Sequence, residues 1–209
     1  MQTYEKNPDA IYAKSFATIR QEADFSRFSV AEAHVAERII HSCGMIDAAD
    51  DLLFSQGAAQ IGRAALLNGA PVICDAEMVR QGVIAKLLPG KNDVCCLLSD
   101  PRVISIASEQ ETTRSAAQVD LWLERLGGAV VAIGNAPTAL FKLLELLDNN
   151  APKPAVILGF PVGFVGAAES KSELIANSRG VPFIAMKGRR GGSAMAAAAV
   201  NALSVGWGA

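Results

Sequence analysis

The sequence predicts an α/β fold, with a five-stranded parallel sheet flanked by helices. Beyond about residue 69, short and nearly all-apolar runs alternate with helical stretches. This alternation is typical of parallel strands buried on both faces. The 209-residue chain is 51% hydrophobic and only 19% charged, which is enough apolar material for one continuous core. Right-handed crossovers predict a doubly wound sheet, and we expect a single domain over residues 1–209.

The N-terminal part, residues 1–68, is predicted to be mainly helical. Apolar side chains recur at helical spacing through Asp9–Ala23. A second helix follows Ser29, because Ser29 and Glu32 have the spacing of a capping box. A third helix is predicted over Ser55–Leu67, where an Asn-Gly pair ends it.

Residues 69–209 supply the predicted sheet and its flanking helices. The predicted strands are Pro71–Cys74, Val94–Leu98, Ala129–Ile133, Ala155–Leu158 and Pro182–Met186. The predicted helices are Ala76–Ile84, Thr112–Leu126, Thr138–Leu147, Ala167–Asn177 and Gly192–Leu203.

Composition excludes several classes of function. With 19 Lys and Arg against 21 Asp and Glu, the chain lacks the basic surface of a nucleic-acid-binding protein. No apolar run is long enough to span a membrane, and the polar start Met1–Asn7 is not a signal peptide. The four cysteines form neither a CxxC pair nor a cluster with histidine. We therefore expect a cytoplasmic protein with reduced thiols and no protein-bound metal.

The segments after the predicted strands contain most of the unusual glycine and proline chemistry. Ligands of open parallel sheets bind at the carboxyl ends of the strands. Lys187–Ser193 combines the cations Lys187, Arg189 and Arg190 with three glycines at the start of a helix. This composition favours an anion-binding clamp, and the alternative is a turn with solvated arginines.

Three other segments leave two interpretations open. Gly159–Gly166, a turn of small and apolar residues, suits either a smooth wall against a flat ligand or close packing alone. Gly134–Thr138 has the residues of a helix start, and its backbone can also bind ligand. Arg114 can pair with a carboxylate or lie free on the surface.

Only two histidines, His34 and His41, are available as neutral-pH proton donors. His41 follows two isoleucines near a predicted helix C-terminus, where the helix dipole favours the protonated imidazole. A proton-donor role and a capping role both fit His41. His34 lies in a stretch rich in alanine and glutamate, which favours a solvated side chain.

Several long strings, in order along nearly the whole chain, resemble the precorrin-8X methylmutase family of cobalamin biosynthesis. They are Ala10–Phe16, Ile39–Gly44, Gly69–Val79, Thr113–Ala117, Val131–Leu140, Pro161–Lys171 and Gly191–Met195.

The resemblance implies an isomerase that moves a methyl group from C-11 to C-12 of precorrin-8X and forms hydrogenobyrinate. It also implies a flavodoxin-like five-stranded fold, a homodimer, and no redox cofactor or catalytic metal. The family's histidine falls on His41, its ligand-contacting serine on Ser15, and the arginine of its Thr-Arg-Ser motif on Arg114.

The substrate implied by this resemblance is a flat, apolar macrocycle rimmed by carboxylates. Gly163, Phe164 and Val165 are then candidates for its face, and Arg114, Lys187, Arg189 and Arg190 for its rim. Two alternatives stay open: cobalt-precorrin-8 as substrate, giving cobyrinate, and a non-catalytic tetrapyrrole carrier. Hand-off of product to the next enzyme is a further expectation.

Overall fold

The computed structural model describes residues 4–207, and the elements below are those of this range. The helices are α1 (Pro8–Glu22), α2 (Val30–Cys43), α3 (Ala48–Asp51), α4 (Ala58–Leu67), α5 (Glu77–Gly82), α6 (Arg102–Glu109), α7 (Arg114–Asp120), α8 (Leu123–Leu126), α9 (Pro137–Asp148), α10 (Ala167–Ala176) and α11 (Ser193–Val205). The strands are β1 (Leu52–Phe54), β2 (Val72–Cys74), β3 (Val94–Cys96), β4 (Val130–Ile133), β5 (Val156–Gly159) and β6 (Phe183–Met186).

All six strands belong to one sheet with the order β1-β6-β5-β4-β2-β3. The five strands β2 to β6 are parallel to one another. Read from β3 inwards, their order is second, first, third, fourth, fifth, which is the flavodoxin-like order. The predicted fold class is therefore confirmed, and each predicted strand lies where the sequence indicates.

The sheet has six strands and not the predicted five. The additional strand, β1, pairs antiparallel with β6 in a register that places Leu52 opposite Met186. Three residues carry too little periodicity to indicate a strand, so residues 1–68 are less purely helical than expected. Two other predictions differ: α6 was missed, and the predicted helix Thr112–Leu126 is divided into α7 and α8.

Both faces of the sheet are buried, as the apolar strands require. On one face, Val72, Val130, Val156 and Ile184 pack in a cluster with α2 and α11. On the other face, side chains such as Val131 pack against α7, α9 and α10. The alanines of α11 are mostly fully buried, because small side chains let this helix approach the sheet closely.

Local capping fixes the helices of two candidate site residues, Ser15 on α1 and His41 on α2. The side chain of Asn7 accepts hydrogen bonds from the first backbone N–H groups of α1. At α2 the predicted capping box is present, with Ser29 and Glu32 bonded reciprocally. Gly44 ends α2 at φ +68°, a left-handed conformation that glycine adopts without steric cost. No helix within residues 4–207 is long and apolar enough to cross a membrane.

Candidate active site

A cavity of about 260 Å³ lies beside the first turns of α11, next to the carboxyl edge of the sheet. Four elements build its wall: α1, α2, the segment that ends α5, and α11. The lining includes Tyr12, Phe16, Arg38, His41, Ile84, Ala197 and Asn201. The lining is therefore mostly apolar, and few polar groups converge on it, as in a typical small-molecule site.

His41 occupies the last turn of α2 and borders this cavity. Its Nδ1 atom is hydrogen-bonded to the Ser15 hydroxyl of α1 at 2.8 Å. The Phe16 ring stacks on the imidazole at 4.9 Å between centroids, and the Tyr12 ring lies at 5.1 Å. These contacts fix the ring orientation and leave Nε2 as the nitrogen for exchange of a proton with a ligand.

Ser15 is thus brought to His41, although 26 residues separate them in the sequence. The hydroxyl that the resemblance assigns to ligand contact is engaged with the imidazole. A second cavity, of about 280 Å³, is bordered by both Ser15 and His41 on the α1–α2 side. The structure therefore gives Ser15 a direct role in orienting the histidine.

The cavity also contains residues that the sequence analysis did not single out. Arg38 lies one turn before His41, with its guanidinium carbon 5.6 Å from the centre of the Phe16 ring. A spacing of three residues on one helix face was the available signal. Asn201 is buried, and its side chain holds the backbone of Ile84 and Gly82 at 2.9 and 3.0 Å. Only the tertiary fold joins Asn201 to that segment.

Arg114 lies at the opposite end of the carboxyl edge. It begins α7, and Thr113 caps this helix by accepting the N–H of Ala116 at 3.1 Å. The guanidinium donates to the carbonyl of Leu98, after β3, at 3.1 Å, and the side chain is exposed. A hydrogen bond of 2.8 Å between Thr113 and Thr138 ties the starts of α7 and α9 together.

Gly163, Phe164 and Val165 form the tip of the loop between β5 and α10. Phe164 is 85% exposed and Val165 is 89% exposed, so both can cover an apolar ligand face. Gly163 has φ +140°, a conformation that favours glycine. The Arg189 guanidinium lies 5.5 Å from the centre of the Phe164 ring, and this cation–π contact joins a predicted rim residue to a predicted face residue.

The three cations after β6 have different surroundings. Lys187 and Arg189 are exposed. Arg190 instead makes ion pairs with Asp47, at 2.7 Å, and with Asp51. Arg190 was predicted to bind a carboxylate on the ligand rim, but two acidic side chains of the protein already pair with its guanidinium.

The predicted residues thus form three groups along one edge and not one cluster. Arg114 is associated with β3, whereas Arg189 follows β6, and four inter-strand steps of about 4.8 Å, roughly 19 Å in all, separate these strands. The cavity at His41 is lined by neither arginine. An extended ligand with several anionic groups suits this spacing better than a small one.

The Asp75 side chain binds the backbone N–H groups at the start of the segment Gly134–Thr138. Its fully buried carboxylate accepts the N–H groups of Gly134 at 2.8 Å, Asn135 at 3.0 Å and Ala136 at 2.7 Å. Burial raises the pKa of the Asp75 carboxyl above its usual range, and the three N–H donors limit that rise. These backbone donors are therefore bonded within the protein and are not open to a ligand.

Within residues 4–207, no group of three or more His, Cys, Asp or Glu side chains is arranged to hold a metal ion. None of the four cysteines forms a disulfide bond. Burial raises the pKa of Cys74, and it raises the pKa of Cys96 to about 11. Both groups are accordingly thiols near neutral pH.

Known proteins resemble this chain along nearly its whole length. A family model described as precorrin-8X methylmutase matches residues 10–205. The chain is 58% identical over 201 residues to the Precorrin-8X methylmutase of Pseudomonas aeruginosa, covering 96% of this chain and 97% of that protein. It is 36% identical to the Cobalt-precorrin-8 methylmutase of Priestia megaterium, covering 95% and 88%.

A solved structure gives the same result for the fold. A precorrin-8x methyl mutase from Thermus thermophilus superposes with a TM-score of 0.83 at 37% identity, covering 93% of this chain and 96% of that one. The matched family model and the identity along nearly the whole chain show that the protein belongs to the precorrin-8X methylmutase family of cobalamin biosynthesis, whose members are isomerases.

Proposed function

We propose that the protein converts precorrin-8X to hydrogenobyrinate by moving one methyl group from C-11 to C-12 of ring C. The methyl group migrates with its bonding electron pair, and a suprafacial 1,5-shift of this kind needs no nucleophile. Protonation of the ring C nitrogen makes the π-system electron-poor and eases the shift. The proton returns to the donor afterwards, so the reaction is an isomerisation without net proton uptake.

The observation that carries this proposal is the setting of His41. Its ring is stacked on Phe16, hydrogen-bonded to Ser15 through Nδ1 and placed on a cavity wall. In the proposed mechanism Nδ1–H donates to the Ser15 hydroxyl, and Nε2–H is transferred to the ring C nitrogen. An acid held in one orientation contributes to rate through proton transfer and through positioning.

The binding part of the proposal uses the rest of the carboxyl edge. Exposed apolar side chains, Phe164 and Val165, suit the face of a flat macrocycle. Arg114, Lys187 and Arg189 supply exposed cations for carboxylates on its rim. Gly163 permits the sharp loop that presents the two apolar side chains.

Similarity favours the metal-free substrate over the cobalt-containing one. Two precorrin-8X methylmutases are 58% identical to this chain, whereas cobalt-precorrin-8 methylmutases are 31–40% identical. Cobalt-precorrin-8 remains the second candidate substrate, because its metal would be bound by the macrocycle and not by the protein. Parallel assays with both substrates distinguish them, and we expect the larger kcat/KM for precorrin-8X.

The decisive experiment makes the same substitution at both histidines of α2. His41→Gln removes the proton donor, and conversion of precorrin-8X, followed by absorption, should fall by a factor of about 10²–10⁴. His34→Gln is the matched control, since His34 lies two turns earlier and its Nε2 accepts a hydrogen bond from Arg38 at 3.3 Å, which glutamine can also accept. It should retain activity within about threefold.

The outcomes separate an enzyme from a carrier. If His41→Gln still binds hydrogenobyrinate but has lost turnover, a pure carrier is excluded. If His41→Gln turns over at the wild-type rate, the proton-donor role is wrong. If wild-type protein binds hydrogenobyrinate without converting precorrin-8X, the carrier interpretation replaces the enzymatic one.

Homodimer formation and direct hand-off of product stay predictions from the resemblance. The exposed Phe164 and Val165 are compatible with cover by either ligand or a second copy of the chain. Analytical ultracentrifugation with and without hydrogenobyrinate tests the dimer. Transfer kinetics to the next enzyme, compared with release into solution, test the hand-off.

A further inference from the structure

The loop between β6 and α11 is tied down at both ends. The N–H of Lys187 donates to the carbonyl of Asp51 at 2.9 Å, and the N–H of Gly192 donates to the carbonyl of Phe160 at 2.8 Å. Asp51 is in position because β1, which begins at the next residue, pairs antiparallel with β6. The additional strand therefore connects the N-terminal helices to this loop.

Arg190 anchors the middle of the loop from the outside. Its guanidinium pairs with Asp47 at 2.7 Å and with Asp51. Both hydrogen-bonding ends of the planar group are committed, because one nitrogen serves each carboxylate. Arg190 is consequently poorly placed to receive a carboxylate of a ligand.

Lys171 anchors the same residue from the inside. This lysine of α10 is fully buried, and its ammonium donates to the backbone carbonyl of Arg190. Lysine is rarely buried without a partner; burial lowers the pKa of the Lys171 ammonium, and the negative charge of Asp51 offsets part of that decrease. The proposed methyl shift does not use the buried ammonium group of Lys171.

Arg189 is the residue that this arrangement leaves free. Its carbonyl accepts the N–H of Gly163 at 3.2 Å, and its guanidinium lies over Phe164. We infer that Lys171 is a positioning residue: by holding the carbonyl of Arg190 it fixes the loop so that Arg189 presents its guanidinium to a ligand carboxylate. This inference rests on the proposed function for the identity of the ligand.

A double-substitution cycle tests whether Lys171 acts through Arg189. The probe is hydrogenobyrinate, titrated by absorption against full-length wild type, Lys171→Met, Arg189→Ala and the double variant. We expect each single change to raise Kd about tenfold, and the double variant to be no more than about twofold weaker than Arg189→Ala alone. For precorrin-8X, KM should rise in parallel while kcat stays within about twofold of wild type.

Lys142→Met is the matched control. Lys142 is a largely buried lysine of α9, paired with Asp120 at 3.2 Å, and it lies outside this loop. The same substitution there should leave Kd unchanged. A merely structural role of Lys171 would lower stability without separating KM from kcat and without coupling to Arg189.

Two results of this cycle overturn the inference. One is a folded Lys171→Met variant with wild-type Kd. The other is a double variant about a hundredfold weaker than wild type, because independent effects multiply. If Lys171→Met fails to fold, Asp47→Asn releases Arg190 from its exposed side, and we expect Kd to rise about threefold only when Arg189 is present. An unchanged Kd in Asp47→Asn then overturns the inference.

Hydrogen exchange keeps the inference separate from the proposed function. If wild type does not bind hydrogenobyrinate, the proposed function has failed at its ligand. In the absence of ligand, the amides of Lys187 and Gly192 should still exchange at least tenfold faster in Lys171→Met than in wild type. Equal exchange in the two proteins shows that Lys171 does not hold the loop.

Discussion

Asp75→Asn replaces a buried carboxylate by a neutral side chain of the same shape. The carboxylate accepts N–H groups from Gly134, Asn135 and Ala136 at 2.7–3.0 Å. All three partners are donors, and they limit the rise that burial causes in the pKa of the Asp75 carboxyl. The backbone carbonyl of Asp75 also accepts from the buried Gln118 side chain at 2.7 Å, so the residue connects β2 to α7 and to the start of α9.

The loss can be worked out contact by contact. An asparagine can turn its carbonyl oxygen toward Asn135 and Ala136, but its amide group then faces the N–H of Gly134. One charged hydrogen bond of about 1.5–3 kcal/mol disappears, and two others fall to about 0.5–1.5 kcal/mol each. Relief from burying a charge offsets part of this loss. We expect the free energy of unfolding to fall by about 3 kcal/mol.

Urea unfolding followed by circular dichroism measures this change, with an m value equal to that of wild type. Asp148→Asn is the matched control, since Asp148 is exposed and pairs with Arg179 at 3.0 and 2.8 Å. A surface pair of this kind should cost less than about 1 kcal/mol. A loss below about 0.5 kcal/mol for Asp75→Asn would refute the argument that these three contacts organise the β4–α9 loop.

Three further predictions concern the site and its loop. Ser15→Ala should lower kcat about tenfold, with little change in Kd for hydrogenobyrinate, because the hydroxyl orients His41; a raised Kd with normal kcat in the binding and turnover assays would instead assign Ser15 to substrate. Burial lowers the pKa of Lys171 from 10.5 to about 8. Between about pH 8 and 10.5 the unfolded chain keeps the proton of Lys171, whereas the folded protein releases it. The free energy of unfolding, relative to that of Lys171→Met, should therefore rise with pH through this window, by at most about 1.4 kcal/mol per pH unit. Chemical denaturation at several pH values checks this, and a constant difference contradicts it. Gly191→Ala should destabilise the fold by about 3 kcal/mol in urea unfolding, because a Cβ there would overlap the Phe160 carbonyl oxygen; near-wild-type stability would show that the two loops can separate.

Much of the fold follows from local patterns in the sequence. Apolar runs such as Ala129–Ile133 are buried on both faces, and such runs indicate parallel strands whatever their neighbours are. The capping box at Ser29 and the glycine stop at Gly44 depend on adjacent residues only, so they were predictable. The break between α7 and α8 at Leu121 and Trp122 was not, because the apolar periodicity continues across it.

The composition of the site was also predictable in part. Because the chain has only two histidines, the candidate proton donor was either His34 or His41. The residues flanking His41 resemble those of the family. The bond to Ser15 and the stacking on Phe16 depend on how α1 packs against α2. Arg38 had only its spacing of three residues from His41 as a signal, and Asn201 had none, because neither residue type indicates a site without its neighbours in space.

The sequence by itself determined most of the elements and the residue types at the carboxyl edge of the sheet, the candidate ligand-binding face. Only the tertiary structure distinguished between the adjacent arginines 189 and 190. Asp47 and Asp51, which pair with Arg190, are 143 and 139 residues away along the chain. They reach it because β1 joins the sheet edge beside β6. A three-residue strand has almost no pattern of its own and forms through pairing with a partner strand distant in sequence. The sequence therefore could not show that Arg190 is paired with two carboxylates while Arg189 is exposed.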